Sequence, residues 1–231
     1  MARLFDLHIH TTKGSSDSSL SPEDLVLEAD GLGLRGLCIT EHSGPWDRHE
    51  FERFASLHSV VLVRAMEVET DMGHMLAFGL DSYQSGFHKA SELRRAADAV
   101  GGYVITAHPF RWSVVKPERK RALIYQSVDD PLPNKPEDAV EHPVFKLADA
   151  VEVANGGTVD GENEFAMRVA SLVGLPVTGG SDAHSVHGLG KFVTAFRDEI
   201  NSESEFLAGL HSGTFFPAMG LRFGQLRPYT V

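Results

Sequence analysis

Phe5-Asp6-Leu7-His8-Ile9-His10-Thr11, close to the start of the chain, alternates polar and apolar side chains at the period of a β-strand. Asp6, His8 and His10 therefore leave the strand on one face. Two imidazoles two residues apart at a strand end can grip one divalent ion, and neutral imidazole suits zinc, manganese or iron. Further ligand types end or follow other apolar runs. These are Asp17 in a Ser/Gly-rich loop, His42 behind Cys-Ile-Thr-Glu, Glu67 behind Val-Arg-Ala-Met, His108 behind Val-Ile-Thr-Ala, and Asp182 and His184 in Gly-Gly-Ser-Asp-Ala-His. A single histidine at a strand end is ordinarily a hydrogen-bonded structural residue. Eight such groups together are not, because Asp17, Glu67 and Asp182 buried without a cation would each face several kcal/mol of desolvation.

With 231 residues, 42% of them hydrophobic, the chain can bury a full core as one domain over residues 1–231. The one cysteine, Cys38, sits inside the apolar run Gly36-Leu37-Cys38-Ile39-Thr40, where strand packing is its expected role. With no partner for an intramolecular disulfide, it fits a reducing compartment. No apolar leader precedes the first strand and no later apolar run could span a bilayer, so a cytoplasmic protein without membrane contact is expected. The net charge of −11 disfavours broad attraction to duplex nucleic acid, which needs a positive surface to release counterions. Phosphate at a local site is compatible with that charge, since clustered divalent ions can reverse the potential within a few Å.

Apolar runs alternate with helical patterns, which predicts βα units and a mainly parallel sheet. Strands are expected near 3–9, 35–40, 59–69, 75–80, 102–107, 149–154, 175–179 and 191–196. Helices are expected at 46–57, 89–100, 161–173 and 203–212, and between the first two strands. There Ser21 can cap, Pro22 suits the first position and Asp24 completes a capping box. Gly101-Gly102 and Gly174 fall where helices should end. The polar, proline-bearing segment 112–146 reads as an insertion over the site, and 214–231 as a C-terminal tail without an assigned role. Polar residues at strand ends place a site at the C-terminal edge of an α/β sheet. Pattern alone leaves a barrel and an open doubly wound sheet undistinguished.

The motifs His8-x-His10, Thr40-Glu41-His42, Ala65-Met66-Glu67, Ala107-His108-Pro109, Glu152-Val153-Ala154-Asn155-Gly156 and Gly180-Ser181-Asp182-Ala183-His184 occur together and in order. From residue 4 to about residue 196 the chain thereby resembles the polymerase and histidinol phosphatase (PHP) superfamily of metal-dependent phosphoesterases. Two departures stand out. That family usually has Thr-Asp-His where this chain has Thr40-Glu41-His42, and its Ser-Asp-Gly turn appears as Ser16-Asp17-Ser18, two residues further from His10. The resemblance implies a distorted seven-stranded (βα) barrel as a single α/β domain, with two to three divalent ions (Mn, Zn or Fe) at the strand ends. It further implies that His8, His10, Glu67 and Asp182 hold the first ion. Glu67 would bridge to a second that also takes His108, and Asp17, His42 and His184 would hold the third.

Around these ligands, Asp6 either orients an imidazole or touches metal, and His74 is either a further ligand or a hydrogen-bonded sheet residue. Arg111, three residues after His108, is the candidate phosphate clamp, because guanidinium matches phosphate bidentately, with a surface ion pair as the alternative. Asn155 is expected to line the pocket or to serve the turn before Gly156-Gly157, and His184 or His187 to protonate a leaving group, with His187 either touching substrate or, as its loop favours, lying exposed. His49, His58, His88, His142 and His211 are assigned to surface or packing. No Gly-x-Ser-x-Gly elbow surrounds Ser181, so covalent catalysis is not expected. The expected function is hydrolysis of phosphate esters of nucleotides or short single-stranded oligonucleotides by a metal-activated water, with no action on duplexes. The rivals are a histidinol-phosphate-type phosphatase, an amidohydrolase-like metal hydrolase, and a non-catalytic phosphate-binding module.

Overall fold

The alternating stretch forms strand β1 (Arg3–Ile9), buried from Leu4 onward, in a computed structural model that describes residues 3–113, 115–116, 124–126 and 131–231. The following strands are β2 (Gly36–Glu41), β3 (Val61–Thr70), β4 (Gly73–Phe78), β5 (Tyr103–Thr106), β6 (Ala150–Asn155), β7 (Val177–Gly180), β8 (Phe192–Phe196), β9 (Phe215–Met219) and β10 (Arg227–Pro228). Helices are α1 (Pro22–Leu32), α2 (Arg48–Ala55), α3 (Ala90–Val100), α4 (Asp160–Val173) and α5 (Glu203–Ser212). Helix α1 begins as its sequence signals: Ser21 Oγ accepts the Asp24 N–H at 3.1 Å and Pro22 takes the first position. Such a cap contributes about 1 kcal/mol. Its Leu25, Val26 and Ala29 turn into the core.

The strands form one sheet in the order β10-β9-β8-β1-β2-β3-β4-β5-β6-β7. This corrects two expectations. The ladder among the described residues holds ten strands rather than seven, because β8, β9 and β10 add to the free side of β1. The tail 214–231 thus supplies two strands of the sheet. The sheet is also mixed: β1–β2, β2–β3, β5–β6 and β6–β7 are parallel, while β3–β4, β4–β5, β1–β8, β8–β9 and β9–β10 are antiparallel. Only Asp71 and Met72 separate β3 from β4, too few residues for the crossover a parallel pair needs. The sheet curls until the chain beyond β7 meets β1, where Ala183 bridges to Ile9 and its carbonyl accepts the His10 N–H at 3.0 Å.

That curl gives the fold two ends. At the N-terminal ends of the parallel strands, Phe5, Val61, Tyr103 and Ala150 pack with Phe78, Phe196 and the α5 side chains Phe206 and Leu210. Phe5 stacks on Phe206 at 5.2 Å and meets Phe196 edge-on at 5.4 Å. Cys38 is buried in the same cluster, as its position in an apolar run predicts. Burying each phenyl contributes about 1.5–3 kcal/mol, so this plug anchors the strands whose other ends carry the polar site.

Much of the insertion expected over the site, residues 114, 117–123 and 127–130, lies outside the described residues. Of the rest, Ile124–Gln126 runs between strand ends: the Ile124 N–H reaches Pro109 O at 3.3 Å, and Gln126 Nε2 donates to Thr70 O at 2.7 Å. Single helical turns follow at Pro136–Asp138 and Pro143–Lys146. Among the described residues no helix is long and apolar enough to cross a membrane.

Candidate metal centre

Each strand that points its C-terminal end to the open side of the curl delivers part of one cluster. His8 and His10 leave the end of β1, and His42 follows β2. Glu67 lies within β3, His108 follows β5, Asn155 ends β6, and Asp182 and His184 follow β7. His108 and Asp182 adopt φ of 30° and 53°, left-handed backbone that non-glycine residues seldom take. Such strain persists where surrounding structure imposes it, and here it turns both side chains into the site. Gly180 serves the same end by size, since a Cβ there would lie 2.6 Å from His8 Cβ and 2.8 Å from Glu152 Oε1.

Glu67 is the hub. Its Oε1 is 2.9 Å from His74 Nδ1 and 2.9 Å from His108 Nε2. Its Oε2 is 3.4 Å from His8 Nε2, 3.3 Å from His10 Nε2 and 3.3 Å from His42 Nδ1. Asp182 Oδ1 faces the same two β1 nitrogens, at 3.5 Å from His8 and 3.3 Å from His10. Asp17, though on an exposed loop, brings Oδ2 to 3.5 Å from His42 Nε2 and 3.3 Å from His184 Nε2. All eight expected ligands therefore converge. His74, left open between two roles by sequence, hydrogen-bonds the hub carboxylate.

The donor set fits divalent cations. The Nε2 atoms of His8 and His10 are buried and have no hydrogen-bond partner, although carboxylate oxygens lie around them. Ligand atoms lie within 4.8 Å of one another in three groups: His8–His10–Asp182, His8–Glu67–His108 and His10–His42–His184. Imidazole nitrogens mixed with carboxylate oxygens are the environment of manganese, iron or zinc.

Hydrogen bonds behind the ligands decide which nitrogen is offered. His8 Nδ1–H donates to Glu152 Oε1 at 3.0 Å, and the same carboxylate accepts the His108 N–H at 3.0 Å and Asn155 Nδ2–H at 2.9 Å. His10 Nδ1–H points to Ser15 Oγ at 3.2 Å, whose own hydroxyl donates to Glu41 Oε2 at 2.6 Å. Both imidazoles thus carry the Nδ1 proton and turn Nε2 inward, as a ligating histidine requires. Sequence reasoning quoted Glu152 and Glu41 within motifs but gave neither this role. The usable signal was a glutamate in line with apolar residues on each strand, Glu41 with Leu37 and Ile39 and Glu152 with Ala150 and Ala154. Glu41 also accepts Thr11 N–H at 3.0 Å, the Thr11 hydroxyl, and Trp46 Nε1–H at 2.9 Å, so it pins the loop that carries Asp17. A Cβ on Gly14 would lie 2.6 Å from Glu41 Cβ, which is why that loop passes over Glu41 at a glycine. Asp6 lies behind the ligands, accepting the Ser181 N–H at 2.8 Å and the Gly190 N–H at 3.0 Å. Burial pushes its carboxyl up to about 6 despite those bonds.

Charges in the cluster are strongly coupled. Burial opposes a proton on His8, but Asp182, Glu152 and Glu67 outweigh it and hold the imidazole well above its ordinary range. Against the same burial, Asp182 and Glu67 lift His10 to about 9. Burial would raise Glu67 and Asp182, yet the imidazoles, with Arg111 beside Asp182, keep both well below ordinary carboxylate values. Burial, then the Arg111 charge, push His108 down to about 4. Protons on His8 and His10 therefore compete with divalent cations for the same carboxylates.

Arg111 sits in the wall of the site. Nη2 donates to Asp182 Oδ2 and, at 2.8 Å, to Asn155 Oδ1, and Nε reaches Thr158 Oγ1 at 3.3 Å. Asn155, expected to line the pocket, is fully buried and links Arg111 to Glu152. The structure does not bring His187 into the cluster; it lies exposed on the loop after His184. His49, His58, His142 and His211 lie away from it, as assigned.

Comparison with known proteins points the same way. The PHP domain profile matches residues 6–116, and a PHP-associated profile matches 160–215. An error-prone DNA polymerase of Cutibacterium acnes is 29% identical over 100 residues, which make up 43% of this chain and 7% of the polymerase. A two-domain protein from Bacteroides vulgatus containing a predicted PHP-like metal-dependent phosphoesterase matches with a TM-score of 0.67 at 18% identity, over 95% of this chain and 65% of that one. Endonuclease Q, solved with a 27-mer duplex substrate bearing an abasic lesion at its active site, matches with a TM-score of 0.58 at 16% identity, over 92% of this chain and 57% of that one. The chain thus spans only part of these proteins, and at these identities the structural likeness speaks to the fold.

Proposed function

Because the chain belongs to the PHP family, whose profiles cover both the segment carrying His8 to His108 and the one carrying Asp182 and His184, we propose that it hydrolyses phosphate esters of nucleotides or short single-stranded oligonucleotides. The observation that carries this reading is the convergence of the partnerless His8 and His10 Nε2 atoms on Glu67 and Asp182. His8, His10, Glu67 and Asp182 would hold one ion, Glu67 and His108 a second, and Asp17, His42 and His184 a third. Two to three divalent ions of manganese, zinc or iron would supply a water acidic enough to deprotonate near pH ~7 and would neutralise phosphoryl charge.

The chain's own residues then have defined tasks. Glu152 and Ser15 hold the β1 imidazoles in the ligating tautomer. Among the described residues Arg111 bonds through Nη2 and Nε, which leaves Nη1 for a phosphate oxygen, and Asn155 fixes the guanidinium. His184 anchors Nδ1–H on the Asp182 carbonyl at 3.0 Å and presents Nε2, the position from which a leaving oxygen would take a proton. His187, on the adjoining loop, is assigned to the substrate beyond the phosphate.

The likeness to Endonuclease Q supports a second reading, incision of duplex DNA. The net charge of −11 weighs against it, since a duplex needs several cationic contacts to bind. A hydrolysis screen over nucleotides, sugar phosphates, histidinol phosphate, short 5′-phosphorylated RNAs and duplex DNA, with Mn, Zn or Fe at one salt concentration, tests both readings. Rates on mononucleotides and short strands should far exceed those on duplex. Equal rates overturn the single-strand reading, and no hydrolysis of any substrate, followed as phosphate release or strand cleavage, overturns the phosphoesterase reading itself.

A further inference from the structure

A cavity of about 530 Å³ adjoins the metal centre and shares His42 with it. That volume is within the range of small-ligand sites. Glu69, Asp71, Tyr83, His88 and Gln126 line it together with His42, and no Lys or Arg is among its described lining residues. His88, expected to be a plain surface residue, donates Nδ1–H to Ser85 O at 2.7 Å and so turns Nε2 out as an acceptor. Asp71 spends Oδ1 on the Ala90 N–H at 2.9 Å, which leaves Oδ2. The Glu69 side chain is exposed. Tyr83, backed edge-on by Phe87 at 5.7 Å, adds an aromatic wall that is 43% exposed. The cavity is therefore rich in acceptors, carries two carboxylates, and offers a ring to stack on.

These features select by charge. A phosphoester held at the metal centre must place its leaving group in adjoining space. A leaving group with a second phosphate would meet Glu69 and Asp71 with no cationic side chain among the described lining residues to offset them, and like charges brought together repel. A leaving group with N–H donors and a planar ring would find acceptors and an aromatic face. We propose that this cavity is the leaving-group subsite, and that it restricts the enzyme to phosphomonoesters with a nitrogen-bearing, non-anionic leaving group. A mononucleotide or an amine-bearing phosphomonoester fits; the continuing chain of an oligonucleotide does not. The inference rests on the phosphoesterase reading and chooses among the substrates it allows.

The test compares kcat/KM for AMP, histidinol phosphate, adenosine 3′,5′-bisphosphate, the 5′-phosphorylated dinucleotide pApA and p-nitrophenyl phosphate, in the native chain and in Glu69→Gln. AMP or histidinol phosphate should exceed the bisphosphate and pApA by about tenfold or more, and which of the two leads distinguishes a neutral base from a cationic amine. Glu69→Gln should narrow the gap several-fold. Calorimetric binding to the metal-free protein gives an independent readout, in which adenosine should bind more tightly than adenosine 3′-phosphate, and the difference should shrink in Glu69→Gln. Bisphosphate turned over as fast as AMP, or a ratio indifferent to Glu69→Gln, overturns the subsite. Failure to hydrolyse even p-nitrophenyl phosphate overturns the phosphoesterase reading instead, and the adenosine binding pair still judges the cavity.

Discussion

Replacing Glu41 by glutamine should damage the metal centre without removing any ligand. The buried Glu41 carboxylate accepts from Thr11 N–H, the Thr11 hydroxyl, the Ser15 hydroxyl and Trp46 Nε1–H. In Glu41→Gln one oxygen becomes an NH2 donor. If that group takes the Oε1 position it faces Trp46 Nε1–H, and at the Oε2 position it faces Thr11 N–H. The hydroxyls can rotate to accept, but an N–H cannot, so one buried donor is orphaned at a cost of about 1–3 kcal/mol. The surviving bonds also lose the help of a full negative charge, which brings the expected loss to roughly 3 kcal/mol. For a chain of this size that lowers Tm by about 6–12 °C. Because Ser15 links Glu41 to His10, and the same loop carries Asp17, affinity for divalent metal should fall with it. Thermal unfolding of the chelated protein gives the first number and metal titration by calorimetry the second. A Tm within about 1 °C of the native chain together with unchanged metal affinity would refute the reasoning. Gly14→Ala, which sets a methyl against Glu41 Cβ, should reproduce both losses.

The protein isolated without chelators should carry roughly two to three equivalents of transition metal, and Glu67→Gln should lower both metal content and turnover more than any other single ligand change; native content and rate in that variant would remove Glu67 from the hub. Glu152→Gln takes the carboxylate from behind His8 and should weaken metal binding by roughly 10–100-fold with little change in secondary structure, which titration with circular dichroism can check. In the metal-free protein the His10 proton stabilises the fold fully below pH 6.5, and that contribution is lost as pH rises through about 9, whereas Glu67 and Asp182 contribute above 4.5 and lose their part in acid. Divalent affinity should accordingly rise between pH 6.5 and 9, with proton release visible by calorimetry in buffers of different ionisation enthalpy; a flat profile would mean that protons and metal do not compete. Arg111→Lys should cut phosphoester turnover while leaving metal content intact, because ammonium cannot reproduce the planar fork held by Asn155, and equal kinetics would confine Arg111 to the wall.

Period and spacing put the candidate ligands at or close behind apolar runs, because a strand commits alternate side chains to one face whatever its neighbours are, and they placed α1 because capping is local chemistry. They could not count the sheet. The strands β9 and β10 owe their place to the free edge of β1 and β8 rather than to any strong pattern of their own, and β4 turned antiparallel because two residues cannot make a crossover. Glu41 and Glu152 read as ordinary strand residues until the curl of the sheet brought Glu41 beneath Ser15 and Glu152 against His8, 144 positions away in sequence. His88 acquired its place beside the site in the same way, through a cavity assembled from segments distant in sequence. The candidate ligands were legible because a metal site needs particular atoms. Which nitrogen each ligand offers, and what surrounds the leaving group, depended on contacts between distant segments that only packing creates.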